Sequence, residues 1–189
     1  CLFKDELNMN VKFITPILLG LLSVPASANL EGLKPSVSLG VSSMALLHQV
    51  KFSDGNKTNT FAGIQFLAAA NLTNKFQMQS GLYRLQYTED SNSKISGGSF
   101  KANFGNGLLS KGFKSYVSVG VFSESIEDGF INKRISGFEL GAAMGYNFNS
   151  VSVDYGFTVR DSSDYQRDGL YGDAEVISAT GFLNLTSKY

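Results

Sequence analysis

The 189-residue sequence predicts an all-β fold, a transmembrane β-barrel of about eight antiparallel strands. Apolar and polar residues alternate with period two in one segment after another, as in strands with one apolar face. The chain is rich in glycine and aromatic residues, with 20 Gly, 15 Phe and 8 Tyr. Sixteen acidic residues balance sixteen Lys and Arg, so charge gives no case for a nucleic-acid-binding protein.

The N-terminal segment has the features of a secretory signal peptide, and we expect cleavage after Ala28. Lys12 supplies a positive charge, an apolar run covers 13–24, and the small residues of 26–28 fit the cleavage rule. Residues 1–8 are interpreted as an upstream extension, 9–28 as the signal peptide and 29–189 as the barrel. The segment 29–189 contains no cysteine, so we expect it to fold without disulfides.

The clearest alternation lies in 137–148, where Phe138, Leu140 and further apolar residues alternate with Glu139 and small residues. A two-residue turn joins this segment to 151–160, and the two together predict a hairpin. The same rule predicts eight strands in all, which in chain order are 37–49, 60–72, 76–87, 95–104, 114–124, 137–148, 151–160 and 175–189. Long polar connections are expected at 53–59, 88–94, 125–134 and 161–173.

The third predicted strand, 76–87, contains a conflict. Its first half favours Phe76 on the apolar, outward face, whereas its second half favours Leu85 there, with Arg84 inward. We expect a β-bulge near 80–81 to reconcile the two halves.

The alternation is compatible with a soluble sandwich or lipocalin and with an outer-membrane barrel. Three features favour the membrane. Phe and Tyr cluster near the segment ends, segments of about 10 to 13 residues match a tilted spanning strand, and the polar faces carry charges beside glycines. On those polar faces we expect Glu139, Asp154, Lys101 and Arg84, which a soluble core would not tolerate.

With this pattern, residues 35–189 resemble the OmpA/OmpX type of small outer-membrane barrel. The last strand carries Leu183, Leu185 and Tyr189, and in that family an aromatic-ended last strand is read by the outer-membrane assembly machinery. The resemblance implies an eight-stranded antiparallel up-and-down transmembrane β-barrel with both termini in the periplasm. It further implies a monomer in the outer membrane of a Gram-negative bacterium, in contact with outer-membrane lipid and lipopolysaccharide.

Charged residues on the polar faces form candidate clusters inside the barrel. Counting residues up each strand places an upper cluster at Arg84, Glu124, Glu139 and Arg160, with His48 near the same rim, and a lower one at Lys101, Lys114 and Asp154. An unpaired ionised group inside a narrow barrel costs several kcal/mol, and eight strands leave an interior that side chains just fill. We therefore expect an internal salt-bridge network, and an ion-conducting gate is the alternative.

Catalysis is a remote alternative. His48 is followed by Gln49 and Val50, which excludes the His-x-Ser pair of the lipid A deacylases. A lipid A palmitoyltransferase arrangement could be drawn from His48 with an Asp-Ser pair at 90–91 or 161–162. The aspartates of 161–173 do not follow a calcium-loop spacing. We expect no enzyme activity, no cofactor and no metal site.

The predicted outer connections contain apolar residues among charges. These candidates for interaction are Ile126, Phe130, Ile131, Tyr165, Leu170 and Tyr171. They fit a contact surface for a host protein, lipopolysaccharide or another cell, and equally well strands that continue above the membrane and pack on each other. The function expected is cell-surface interaction, adhesion or envelope structure, with a narrow conducting barrel as the alternative.

Overall fold

The computed structural model describes residues 35–52, 55–89, 92–128, 131–161 and 175–188. They form eight strands: β1 (Ser36–Phe52), β2 (Gly55–Asn71), β3 (Phe76–Tyr87), β4 (Ser93–Asn106), β5 (Gly112–Asp128), β6 (Ile131–Asn147), β7 (Val151–Arg160) and β8 (Glu175–Lys188). Within these ranges no helix is long and apolar enough to cross a membrane. The expected signal peptide and its cleavage site lie outside the described residues.

The eight strands close into a barrel in which each strand pairs with its neighbours in the sequence and β8 pairs with β1. All pairs are antiparallel, so the predicted eight-stranded up-and-down barrel is confirmed. The tight connections between β2 and β3, β4 and β5, and β6 and β7 lie at one end of the barrel, here called the turn end. The opposite end, called the loop end, carries the other four connections.

An apolar belt surrounds the outside of the barrel from the turn end upward. On β5 it runs from Phe113, 65% exposed, to Val121, a span of the length that a tilted transmembrane strand requires. Large apolar side chains that are at least 38% exposed continue this belt on other strands, among them Leu39, Ile64, Phe66, Phe104, Phe138, Leu140, Tyr155, Phe157 and Leu183. Such a belt around a polar interior is the arrangement of transmembrane barrels.

Above the belt the outward face of the barrel wall becomes polar and the inward face becomes apolar. On β5 the outward residues after Val121 are Ser123, Ser125 and Glu127, while Phe122 and other apolar side chains turn inward. The inward apolar residues of the loop end pack into one buried cluster, called the upper core: Met44, Leu46, Val50, Phe61, Tyr83, Leu85, Ile95, Phe122, Ile126, Ile135 and Val176. The loop end is therefore built like a small water-soluble barrel.

This exchange corrects the expectation for the third strand. Strand β3 pairs residue by residue with β2 and β4 without a bulge, so the expected bulge near 80–81 is wrong. Leu85 is 1% exposed inside the barrel, and Arg84 is exposed on the outside, so the inward placement of Arg84 is wrong as well. The alternation of β3 never changes phase. Its apolar face changes sides because the strand leaves the apolar belt.

The strands at the loop end are longer than the sequence predicts. The β1–β2 ladder continues to Phe52 opposite Gly55, and the β5–β6 ladder continues to Asp128 opposite Ile131. Much of the expected connections 53–59 and 125–134 is therefore strand. Ile126 is 4% exposed in the upper core, so its expected place on an interaction surface is wrong.

At the turn end, the connection between β4 and β5 folds over the barrel opening. Leu108, 0% exposed, packs with Tyr116, Ala143 and Phe182. Its backbone N–H donates to the carbonyl of Asn74 at 3.1 Å, and the side-chain amide of Asn147 donates to the carbonyl of Gly107 at 2.6 Å. This Leu108 plug explains why the connection is longer than the other two at this end.

Candidate functional site: the barrel interior

The centre of the interior is a cluster of buried charges around Arg160. Its Nη1 atom lies 2.7 Å from Oε2 of Glu124, and its Nε atom lies 3.4 Å from Oε2 of Glu139. The Tyr83 hydroxyl donates to the same Glu124 oxygen at 2.7 Å. The Arg160 guanidinium also lies over the rings of Tyr83 and Phe122, at 5.2 and 4.6 Å from their centroids. Such contacts offset part of the desolvation cost of buried ions.

Lys101 belongs to this cluster, and its expected place in a lower cluster is wrong. Its Nζ atom lies 3.3 Å from Oε1 of Glu139. The pairing row through His48 passes along Arg160, Glu139 and Lys101 and returns to β1 at Ser38, ten residues earlier. Counting residues up each strand ignores this stagger and therefore separates residues that are neighbours.

Lys114 and Asp154 form a second ion pair nearer the turn end, with 2.7 Å between Nζ and Oδ1. Both side chains are nearly buried, at 3% and 6% exposure. Ser152 donates a longer hydrogen bond of 3.4 Å to the same carboxylate oxygen. These contacts neutralise each ion inside the barrel, as burial of charge requires.

A glycine separates the two partners in each of three polar contacts. Gly120 lies between Lys101 and Glu139 in the pairing row, and Gly145 lies between Lys114 and Asp154. In the third case, Gly97 lies between Tyr83 and Glu124. A Cβ atom at Gly145 would meet Oδ1 of Asp154, and one at Gly97 would meet Cβ of Glu124. Because the glycine has no side chain, the two partners, which lie on the strands on either side of it, can reach each other across the glycine's strand.

Below these charges lies an amide network that was not predicted from the sequence. The side-chain amide of Asn71 donates to the Ser38 hydroxyl at 3.1 Å, and Gln77 donates to Asn71 at 2.6 Å. Asn103 donates in turn to Gln77 and Gln79 at 2.6 and 2.9 Å. Polar residues at alternate positions of β3 and β4 are the signal that could have predicted it.

A polar cavity of about 10 Å³ is lined by Lys101, Gln79, Asn103 and neighbouring side chains, which is about the room that one water molecule occupies. The parts of the chain that the structure describes contain no cluster of His, Cys, Asp and Glu that could hold a metal ion. The interior arrangement can hold charges in place, and this cavity is too small for a substrate.

His48 is buried inside the barrel with 0% exposure, and its ring centroid lies 5.7 Å from that of Phe61. The palmitoyltransferase arrangement would need this imidazole to reach an acyl chain. The His48 side chain lies on the inward face of β1, so the barrel wall separates it from the lipid-facing surface. The Asp-Ser pair at 90–91, and Ser162 of the second pair, lie outside the described residues.

The remaining candidate residues are only partly described. Leu183 and Leu185 lie on the outward face of β8, at 54% and 50% exposure. Ile131 begins β6, but its side chain lies outside the described part. Four further candidates and the terminal aromatic residue also lie outside it: Phe130, Tyr165, Leu170, Tyr171 and Tyr189.

Comparison with known proteins identifies the fold. Neither the family models nor the curated proteins give a match. Among solved structures, Neisserial surface protein A matches with a TM-score of 0.52 at 15% identity, covering 80% of this chain and 97% of that one. The N-terminal β-barrel domain of Pseudomonas aeruginosa OprF matches with 0.52 at 12%, covering 80% and 97%. The attachment invasion locus protein of Yersinia pestis matches with 0.51 at 13%, covering 82% and 97%.

The barrel, its belt and these matches define the class of protein. The chain has the fold of the small eight-stranded outer-membrane barrels, as the resemblance to the OmpA/OmpX type implied. At identities of 12 to 15% the matches concern the fold alone, because one fold serves many functions.

Proposed function

We propose that the chain is a closed outer-membrane barrel of a Gram-negative bacterium that acts at the cell surface through its loop end, in adhesion or in envelope structure. The observation that carries this proposal is that the interior is filled at three successive levels. The upper core fills the loop end, the Arg160 cluster fills the middle, and the Leu108 plug covers the turn end. The outside of the loop end is then the surface that a partner can reach.

The segment between β7 and β8 is the main candidate for this role. Residues 161–174 form the longest connection between consecutive strands, and they contain Tyr165, Leu170 and Tyr171 among aspartates. Aromatic residues rimmed by charge fit a contact surface for a host protein, for lipopolysaccharide or for another cell. Phe130 and Ile131, at the neighbouring β5–β6 connection, extend this candidate surface.

The route to the membrane is part of the proposal. We infer export by the signal peptide 9–28, cleavage after Ala28, and recognition of Leu183, Leu185 and Tyr189 by the outer-membrane assembly machinery. The exposed side chains of Leu183 and Leu185 support recognition of this strand before the barrel closes. We further propose that the barrel works as a monomer without cofactor, metal or catalytic activity.

Binding of whole cells tests the surface role. Cells that produce the wild-type barrel are compared with cells producing a Tyr165→Ser, Leu170→Ser, Tyr171→Ser variant, for adhesion to host cells and to other bacteria. A matched variant with Asp164→Ser, Gln166→Ser and Asp173→Ser changes polar residues of the same segment. Loss of adhesion in the first variant alone supports the proposal. Equal adhesion of all three strains, or equal adhesion of cells that lack the protein, would overturn the adhesion role.

Conductance in planar bilayers tests the closed interior and the conducting alternative. Because three filled levels lie in series, we expect no channel activity from the wild-type barrel, and none after removal of one level by Leu108→Ala. Ohmic conductance of the wild-type protein that changes on Glu139→Gln would contradict a closed barrel and support the gate.

A further inference from the structure

Arg84 occupies an unusual position on the outside of the barrel. It lies two residues above Leu82, which belongs to the apolar belt, and it pairs across the sheet with Ile64 of β2, which is 60% exposed. On six of the other strands, the outward described residues that come first above the belt are Gln49, Thr60, Ser96, Ser123, Ser136 and Asp161. Among these described rim positions, the cation is Arg84.

No residue in the described part of the chain neutralises this cation. Arg84 makes no hydrogen bond or ion pair with any residue in the described ranges. Its neighbours in the outward pairing rows are the hydroxyl of Ser96, the amide of Gln86 and, diagonally, the cation of Lys94. Glu127 is the nearest outward acid across the sheet, and it lies opposite Lys94 on the next strand. An arginine at an apolar rim extends its head group toward the polar layer above.

The charge and depth of this position fit a phosphate group of a lipid. The guanidinium presents a planar fork that binds phosphate through two hydrogen bonds. The Ser96 hydroxyl can donate a further bond, and Lys94 adds positive charge on the same outward face. The loop end faces the cell exterior under the proposed topology, so lipopolysaccharide supplies the phosphates at the belt's upper rim.

We propose that Arg84, Ser96 and Lys94 form a binding site for a lipid A phosphate of lipopolysaccharide on the outer face of β3 and β4. This inference rests on the outer-membrane placement proposed above. The site lies on the barrel wall rather than in the 161–174 connection, so it is separate from the surface proposed for adhesion.

Titration of lipopolysaccharide into the folded barrel in a neutral detergent tests the site. We expect Arg84→Gln to raise the Kd about tenfold, the usual effect of losing a charge-assisted hydrogen bond, and Arg84→Lys to raise it less. The matched control is Lys111→Gln, which removes one exposed positive charge at the turn end and should leave the Kd unchanged. The faster migration of each unboiled variant on an SDS gel verifies folding.

Three results would overturn the proposal. They are a Kd unchanged by Arg84→Gln, an equal rise in the Lys111→Gln control, and competition by phosphatidylglycerol as effective as lipopolysaccharide itself. If Arg84→Gln gives no folded band, Arg84→Lys decides, and a wild-type Kd for that variant contradicts the site. Because this binding is measured on purified protein, it is independent of the adhesion assay, and failure of one does not imply failure of the other.

Discussion

The part of the barrel inside the apolar belt and the part at the loop end are built from the same eight strands with opposite faces. Within the belt, Leu140 points outward at 62% exposure and its neighbour Glu139 points inward at 1%. At the loop end, Ile135 of the same strand points inward at 1% exposure, and Arg134 is exposed. The pairing along β6 is continuous, so the surroundings of the wall, and not its geometry, determine which face is apolar.

The two parts are stabilised by different interactions. The loop end buries apolar side chains away from water, which is the usual hydrophobic contribution to folding. The part inside the belt has lipid on its outer side, and its interior contacts are hydrogen bonds and ion pairs such as Arg160 with Glu124. We therefore expect the two parts to respond differently to matched substitutions.

The largest effect is expected for Glu139→Gln. This change leaves Lys101 and Arg160, which both contact Glu139, without one of their buried counter-charges. Removal of one partner from a buried ion cluster costs about 3–5 kcal/mol. Urea unfolding in detergent should show this loss of stability. Glu127→Gln, on the exposed outward face, should change stability by less than about 0.5 kcal/mol. Similar values for both would argue against the buried network.

The next effect compares two leucines of β3. Leu85→Ala removes a side chain that is 1% exposed in the upper core, and the resulting cavity should cost about 2–5 kcal/mol. Leu82→Ala, at 38% exposure on the outward face, leaves no enclosed cavity because lipid can fill the space, so its cost should be smaller. Urea unfolding of the two variants in vesicles measures the difference. A larger cost for Leu82→Ala would reverse the assignment of faces.

The strand number, the pairing order and the outward faces of most strands could be predicted from the sequence, because period-two alternation is a local signal. Alternation alone does not tell which face is buried. For Arg84 and Leu85 the prediction assumed that apolar residues face outward along the whole strand. Above the upper rim of the belt water replaces lipid, and there the apolar residues face inward. Ile126 was misplaced for the same reason, since it was taken for a loop residue and lies in the upper core.

The composition of the interior was more predictable than its contacts. The residue types at alternate positions indicated inward charges such as Glu139 and Lys114. Their partners depend on the stagger between strands, which is a property of the closed barrel and is not visible within a single strand. For this reason Lys101 was assigned to Asp154 and Lys114, whereas it contacts Glu139.

A smaller effect is expected from a single methyl group at the glycine between Lys114 and Asp154. In Gly145→Ala the new Cβ would meet Oδ1 of Asp154 and the carbonyl oxygen of Val153, so the ion pair must shift, at a cost of about 1–3 kcal/mol. Gly181→Ala is the matched control, since no atom lies within 4 Å of its Cβ position. Thermal unfolding on gels should rank the control at or above the wild type. An unchanged unfolding temperature for Gly145→Ala would show that the Lys114–Asp154 ion pair does not need the space left by this glycine.

The smallest effect on stability, and the sharpest definition of the belt's rim, should come from spin labels on β5. Val121→Cys and Ser125→Cys each introduce a single cysteine into the segment 29–189, which contains none. Both positions point outward on one strand, so stability should change by less than about 0.5 kcal/mol. We expect a label at 121 to be relaxed by dissolved oxygen from the bilayer, and one at 125 by a water-soluble nickel complex. Equal responses at both positions would show that the rim of the belt does not lie between residues 121 and 125.

The Leu108 plug bears on the order in which the barrel can assemble. Its hydrogen bonds join the β2–β3 turn through Asn74 to the end of β6 through Asn147, and none of these groups belongs to β1. The seam between β1 and β8 extends from Ser38 opposite Lys188 to Lys51 opposite Glu175. A sheet of β2 to β6 can therefore form these hydrogen bonds at the turn end while that seam is still unpaired. Pairing of β1 with β8 then closes a barrel whose turn end is already bridged by the hydrogen bonds of the Leu108 plug.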